Sequence, residues 1–354
     1  MCKQEMPALY EDMQCLLPLY AHAFPWKTQI RVTDSTNIST GWEGELFCVQ
    51  LAYEEEGEQK AEEIILKLYY GQDGTRKAHS EFSSLQRLTA VGYPVPHPLF
   101  AALETSPFGR AAVAMEKIGG QTAAHLFEEA CQEDRQALLR QCCQLYVALH
   151  ALDWERVVPN PAGIQIKDVI HSRLAWARAV SDQWLPGVFD PVLAWLQERR
   201  EAIPRQYVSI VHGDFHLDNL IMKDDGTLQV IDWTGTDVSD YRFDLAWTFL
   251  LQRTQGAADL AEAMQREYER LVGHDIEHFT FFEVLACFKR LFEITVSLKS
   301  GATTLGLKPE AEGEMKQQLD RMQAVYAQLQ ERIAHPLPEV ERVMLTLGCD
   351  TSSC

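Results

Sequence analysis

The stretch "VHGDFHLDNLIMKDDGTLQVIDW", Val211 to Trp233, sets two histidines, five aspartates and an asparagine among apolar residues. Its Asp225-Gly226 dipeptide lies between two apolar runs and predicts a two-residue hairpin turn, in which both central residues take positive φ. Such a turn pairs residues whose numbers sum to 451: Asp224 with Thr227, Met222 with Gln229, Leu220 with Ile231, and Asn219 with Asp232. The open end of the hairpin would then hold an amide oxygen beside a carboxylate. These are hard donors suited to Mg²⁺, while Asp214, separate and nearby, is available as a base. A plainer alternative is that these side chains only satisfy loop backbone donors. A zinc hydrolase is a third, because His212, Asp214, His216 and Asp218 alternate; it lacks support from the other histidines, which form no H-x-H or H-E-x-x-H cluster.

A chain of 354 residues is too long for one small core and predicts two domains, each with its own apolar centre. With 46% hydrophobic and 23% charged residues it has the balance of an ordinary soluble globular protein. Apolar runs such as "IILKLYY" and "VIHSRLAWARAV" are short or broken by charge, so none reaches the roughly 20 residues of a membrane helix. The opening "MCKQEMPALYEDMQC" has acids where a signal peptide needs a basic start and an apolar stretch, so a cytoplasmic location is expected. The nine cysteines are scattered without a C-x-x-C pair and read as reduced thiols. A net charge of −19 disfavours nucleic acid as a partner.

Along the chain, "GELFCVQLAY" (Gly44 to Tyr53) and "EEIILKLYY" (Glu62 to Tyr70) read as strands joined by the polar "EEEGEQKA". Ala78, Phe82, Leu85 and Leu88 then follow helical spacing, closed by Gly92 and Pro94. Strand candidates near "HPLFAAL" and "RAAVAMEKI" complete a small α+β region, and "GGQT" (Gly119 to Thr122) marks its end. Helices are expected beyond it, one carrying the stripe Leu138, Cys142, Leu145, Tyr146 and Leu149. Others are expected over Lys167–Ser181, Phe243–Leu251, Ala257–Leu271, Ile276–Leu298 and Glu312–Arg332, with strands only in the opening stretch.

Lys67 sits on a strand with apolar neighbours on both faces and must find a charge partner or a bound anion. Glu81, at the margin of the following helix's apolar stripe, is the candidate partner; an edge-strand lysine snorkelling outward and an exposed helix acid are the bland alternatives. Gly41 and Gly44, in "STGWEGELFCV", enter a strand where backbone N–H groups could approach a phosphate.

Lys67, Glu81, "HGDFHLDN" and "VIDW", in this order and with Asp232 placed 18 positions after Asp214, resemble the aminoglycoside phosphotransferase family. That family is similar in fold to choline kinases and, more remotely, to protein kinases. "GYPVPHPL" (Gly92 to Leu99), "VAMEKIGGQT" (Val113 to Thr122) and "DYRFDLAW" (Asp240 to Trp247) follow the same run of segments. The resemblance implies an α+β, two-lobed, protein-kinase-like fold: a small β-rich nucleotide-binding N-lobe over residues 1–117 and a larger helical C-lobe over residues 118–354. It implies an ATP-dependent small-molecule kinase. Asp214 would orient the acceptor hydroxyl and take its proton, Asn219 and Asp232 would hold Mg²⁺, and Lys67, held by Glu81, would contact the α- and β-phosphates. Asp244 would brace the catalytic loop, and the backbone from Glu116 to Ile118 would receive the adenine. His212, His216 and Asp218 are left as scaffolding.

Two departures stand out: Gly213 replaces the arginine of the protein-kinase pattern, and Trp233-Thr234 replaces its Phe-Gly pair. The acid excess raises a further expectation, a cationic aminoglycoside-like or amino-alcohol acceptor; the acids between Ala257 and Glu283 could bind its amino groups or simply form a solvated acidic helix face, and they are not placed among the site residues. A nucleotide-binding module that kept the fold and lost the chemistry is the rival from another class.

Overall fold

The computed structural model describes residues 13–39, 42, 44–71, 73–103, 106–157 and 168–351. Its strands are β1 (Thr28–Asn37), β2 (Glu45–Glu55), β3 (Glu58–Leu68), β4 (Pro98–Ala102), β5 (Ala112–Glu116), β6 (Gln121–Thr122), β7 (Val208–Val211), β8 (Leu220–Met222), β9 (Leu228–Val230) and β10 (Asp237–Asp240). The helices of the first third are α1 (Leu16–Ala23) and α2 (Gly74–Ala90). Those that follow are α3 (Ala123–Glu129), α4 (Gln132–His150), α5 (Trp154–Val157), α6 (Val169–Trp184), α7 (Asp190–Arg200), α8 (Tyr241–Thr254), α9 (Ala258–Val272), α10 (Phe279–Ser300), α11 (Ala311–Lys316), α12 (Leu319–Ile333) and α13 (Pro338–Thr351).

The chain divides into two compact units. One takes Met1–Gly120, Ile221–Thr234 and Gly306–Ala311; the other takes Gln121–Leu220, Gly235–Leu305 and Glu312–Cys354. The division expected after residue 117 thus falls at Gly120, and two later segments return to the first unit. Residues 211–233 are themselves shared, parting at Leu220.

The first unit is an antiparallel five-stranded sheet in the order β1-β2-β3-β5-β4. Alternation in β2 and β3 turns Phe47, Val49, Leu51, Ile64, Leu66 and Leu68 into a core with Leu16 and Tyr20 of α1. Strand β1 was not expected, because its polar run buries only Val32 fully. The polar connection "EEEGEQKA" shrinks to a two-residue turn at Glu56-Gly57, both at positive φ, as type I′ geometry demands. Helix α2 buries Ala78, Glu81, Leu85 and Leu88.

The second hairpin turn differs from expectation. Thr227 accepts from the Lys223 N–H at 2.9 Å, and the Lys223 carbonyl accepts from the Gly226 N–H at 2.9 Å. Only Gly226 of the turn has positive φ, at 80°. This is the three-residue loop built on a type I turn with a left-handed glycine. Asp225 selects it, because its carboxylate accepts the Thr227 N–H at 3.0 Å and hydroxyl at 2.6 Å. Lys223 therefore faces Thr227, one step away from the expected register. Strands β8 and β9 end at Leu220 and Val230, so the ladder does not align Asn219 with Asp232.

The second unit buries a large core from α6, α7, α8, α10, α12 and α13. Strands β7 and β10 pair antiparallel, Val211 opposite Asp237 and Val208 opposite Asp240; β10 was not expected. Asp240 then caps α8, accepting the Arg242 N–H at 3.1 Å, and grips the buried Arg242 guanidinium with both oxygens. The helix expected over Glu312–Arg332 is two, α11 and α12. Helices α7 and α13 were missed although Pro191 and Pro338 stand in their first turns, a recognised start signal. Among the described residues no helix is long and apolar enough to cross a membrane.

Candidate active site

In the first unit the chain gathers four polar groups far apart in sequence. Alternation along β3 turns Lys67 inward, where it is 2% exposed, and helical spacing on α2 buries Glu81 to 1%. The Lys67 ammonium lies 3.0 Å from Glu81 Oε2, 2.7 Å from Asp232 Oδ1 and 2.6 Å from the Thr234 hydroxyl. Glu81 also accepts from the Tyr69 hydroxyl, the Thr234 hydroxyl at 2.9 Å and the Trp233 N–H at 3.2 Å. Each oxygen of this buried carboxylate has a donor, and the lysine is fixed among the oxygens of Glu81, Asp232 and Thr234. Asp232 takes a left-handed conformation, φ 63°, which non-glycine residues adopt rarely. Trp233 holds that turn: its indole N–H donates to the Val230 carbonyl at 2.8 Å, and its ring meets Tyr93 edge-on. Asp232 itself stays 40% exposed, so a carboxylate edge faces solvent.

In the second unit everything hangs from Asp244, fully buried on α8. Its two oxygens accept the Gly213 N–H at 2.7 Å and the His212 N–H at 2.8 Å, fixing the loop backbone before Asp214. His150 stands 3.3 Å from the same carboxylate. Gly213 has φ 82°, and a Cβ there would lie 2.7 Å from the Gly235 carbonyl oxygen. The arginine of protein kinases therefore has no room. Phe215 stacks on Tyr146 at 4.0 Å, and its carbonyl accepts the Thr248 hydroxyl.

This clamping presents the Asp214 carboxylate, 41% exposed, to solvent. The Trp247 indole N–H donates to Oδ1 at 2.9 Å, and His216 Nε2 lies 3.3 Å from Oδ2. Burial pushes the Asp214 carboxyl up, but His216, Trp247 and Lys289 outweigh it and hold it well below the usual carboxylate range. Burial pulls the His216 imidazole down, yet Asp214 and Asp218 raise it to about 10. The pair stands as carboxylate and imidazolium. Asn219 donates its amide N–H to the Asp214 carbonyl at 2.9 Å, which turns its own oxygen away from Asp214.

The zinc arrangement finds no geometry here. His212 Nδ1 accepts the Asp214 N–H, His216 faces Asp214 and Asp218 with its two nitrogens, and no cluster of three metal-ligating side chains occurs among the described residues. Gly44 has φ 61°, and a Cβ there would meet the Leu68 carbonyl oxygen at 2.7 Å. Gly41 lies outside the described residues. Glu116 ends β5 with its N–H donated to the His97 carbonyl, and Ile118 is buried. Thr234 and Trp247 were not among the expected site residues. Trp247 carried a signal, standing in the same "FDLAW" as Asp244; Thr234 carried none, since nothing local shows that its hydroxyl meets Lys67.

The sequence pattern of the APH group, the phosphotransferase enzyme family, matches residues 39–278. The chain belongs to the aminoglycoside phosphotransferase family. Among curated proteins, acyl-CoA dehydrogenase family member 11 of Pongo abelii is 26% identical over 179 residues, 48% of this chain and 23% of that protein. The match thus spans less than a quarter of that relative's length. Among solved structures, the GDP and kanamycin complex of APH(2")-IIIa has a TM-score of 0.56 at 16% identity, covering 90% of this chain and 98% of that one. The ADP and hygromycin B ternary complex of an APH(4)-Ia mutant has a TM-score of 0.57 at 15% identity, covering 88% and 97%. At such identities these neighbours show the fold, which is α+β and protein-kinase-like.

Within this family frame the two departures acquire reasons. Gly213 answers to the close approach of Gly235, and Trp233-Thr234 supplies a packed indole and a hydroxyl bonded to Lys67 and Glu81 where the protein-kinase pattern has Phe-Gly. Three of the seven acids between residues 257 and 283 are paired with arginines of their own unit: Glu262 with Arg266, Glu267 with Arg270 and Arg140, and Glu283 with Arg253 and Arg332.

Proposed function

We propose that this protein transfers the γ-phosphate of ATP directly to a hydroxyl of a small molecule. The observation that carries the reading is Asp214: a solvent-facing carboxylate, kept ionised by His216 and Trp247, on a backbone pinned by Asp244. Such a group can accept a hydroxyl hydrogen bond, align the oxygen, and take its proton as the phosphoryl group leaves the nucleotide. The nucleotides and aminoglycosides in the neighbours' complexes, GDP with kanamycin and ADP with hygromycin B, support this division of substrates.

Lys67 is assigned to the α- and β-phosphates and Glu81 to holding it, because a buried ammonium with fixed partners is preorganised for an anion. Gly44 and the segment from Glu116 to Ile118 are assigned to the phosphates and the base. The Glu116 N–H is committed to His97, so the base would use other backbone groups there. Asn219 and Asp232 suit Mg²⁺: both offer oxygen, the Asn219 amide is oriented by its N–H bond to Asp214, and the Asp232 carboxylate keeps an exposed edge. The ion, when bound, would neutralise phosphate charge. Cys15, Cys48, Cys131, Cys142, Cys143 and Cys287 are free thiols.

The test is Asp214→Asn. Phosphate transfer should fall by about 10³-fold or more while calorimetry still shows Mg-ATP binding. Full activity in this variant would remove Asp214 as the base, and a wild-type protein that binds nucleotide but phosphorylates nothing would favour the silent module.

A further inference from the structure

Beside Asp214 the second unit places cations, against the sign of the whole chain. Helix α10 packs against α8 and sets the Lys289 ammonium over the Trp247 ring, 3.4 Å from its centroid. The same indole donates to Asp214 Oδ1 at 2.9 Å, so the ammonium stands about one ring away from the carboxylate. Arg290 follows on α10 and is close enough to Asp214 for the two charges to act on one another. Glu293 pairs with Lys289 at 3.0 Å and also acts on Arg290. In a chain of net charge −19, Lys289 and Arg290 stand out as adjacent cations close to Asp214.

We propose that the acceptor carries an anionic group, a carboxylate or a phosphate, close to the hydroxyl that is phosphorylated, and that Lys289 binds it. The inference rests on the phosphotransfer reading above and narrows its substrate class. Its physical basis is that Lys289 is stored rather than spent. Its ion pair with Glu293, 3.0 Å, is a partly exposed i,i+4 contact, worth only about 0.3–0.5 kcal/mol. An acceptor anion can therefore recruit the ammonium at small cost, while the Trp247 face keeps it oriented. An acceptor with an amino group at the same place would meet Lys289 and Arg290 as like charges. The expectation of a cationic acceptor came from the acid excess and from the acids between Ala257 and Glu283, of which Glu262, Glu267 and Glu283 are tied to arginines.

The experiment uses the full-length protein with Mg-ATP and measures ADP release stimulated by matched hydroxyl compounds. Glycerate, glycerol 3-phosphate and 3-hydroxybutyrate form the anionic arm; 3-amino-1,2-propanediol, ethanolamine and kanamycin form the cationic arm. Stimulation by the anionic arm, with Lys289→Gln raising the acceptor KM about tenfold or more and Lys289→Arg restoring it, supports the proposal. Stimulation confined to the cationic arm, or an anionic-arm KM untouched by Lys289→Gln, overturns it. If neither arm is phosphorylated, calorimetry with glycerol 3-phosphate in saturating Mg-ADP decides. Binding to wild type that is lost in Lys289→Gln supports anion recognition, and absent or equal binding overturns it. A protein that binds the anion through Lys289 yet transfers no phosphate to any compound would separate failure of the phosphotransfer reading from failure of this one.

Discussion

Lys67 and Asp214 are the charged centres of the two units, and they are built in opposite ways. Lys67 is buried and touched by side chains: Glu81, Asp232 and Thr234 converge on it from α2 and the segment after β9. Asp214 is only partly exposed, and its main support runs through backbone: Asp244 holds the N–H groups of the two residues before it. A buried charge must be neutralised by partners within reach, whereas an exposed one only has to be aimed. The first arrangement is costly to disturb in stability, the second in rate.

That contrast can be broken by substitution. Lys67→Met should have the largest effect on stability, about 3–5 kcal/mol, because it leaves Glu81 buried without its cation. A urea unfolding curve showing a loss below about 1 kcal/mol would mean that Tyr69, Trp233 and Thr234 suffice to satisfy Glu81. Asp244→Ala strands two backbone donors and should lower stability by roughly 2–4 kcal/mol, with a fall in kcat that exceeds any change in nucleotide KM. Equal changes in both constants would show that Asp244 supports the whole second unit rather than the loop.

Trp247→Phe keeps the ring under Lys289 but removes the N–H on Asp214, and kcat should fall roughly tenfold with melting temperature nearly unchanged. A drop in melting temperature without a drop in kcat would make the indole a packing residue only. The smallest effect concerns pH. Because Asp214 is held below the ordinary carboxylate range, its stabilising contribution is present above that range and lost only as pH falls further. The His216 contribution is present below its unfolded value and lost as pH rises toward about 10. The kcat profile should therefore show no acid limb from Asp214 between about pH 5 and 8, and His216→Gln should move any such limb upward.

Much of the first unit was legible in the chain. Period-2 alternation in β2 and β3 and period-3.6 spacing in α2 each state which side faces the core, and together they turned Lys67 and Glu81 toward one another on paper. Strand β1 was not legible, because an edge strand with a single fully buried residue carries no alternation. The Asp225-Gly226 turn was half legible. The dipeptide announced a hairpin, but the choice between two and three loop residues fell to the Asp225 side chain bonding Thr227, a preference of local geometry that shifts the register by one.

What the sequence determined by itself is the set of chemical groups and their order: a lysine on a strand, a glutamate on the next helix, then Asp214, Asn219 and Asp232. Tertiary structure alone decided that Thr234 reaches Lys67 across a gap of 167 positions, that Trp247 supports Asp214, and that Lys289 stands on the indole. Periodicity reports the direction of a side chain relative to its own element. Which group it meets depends on how separate elements pack, and no local pattern encodes that.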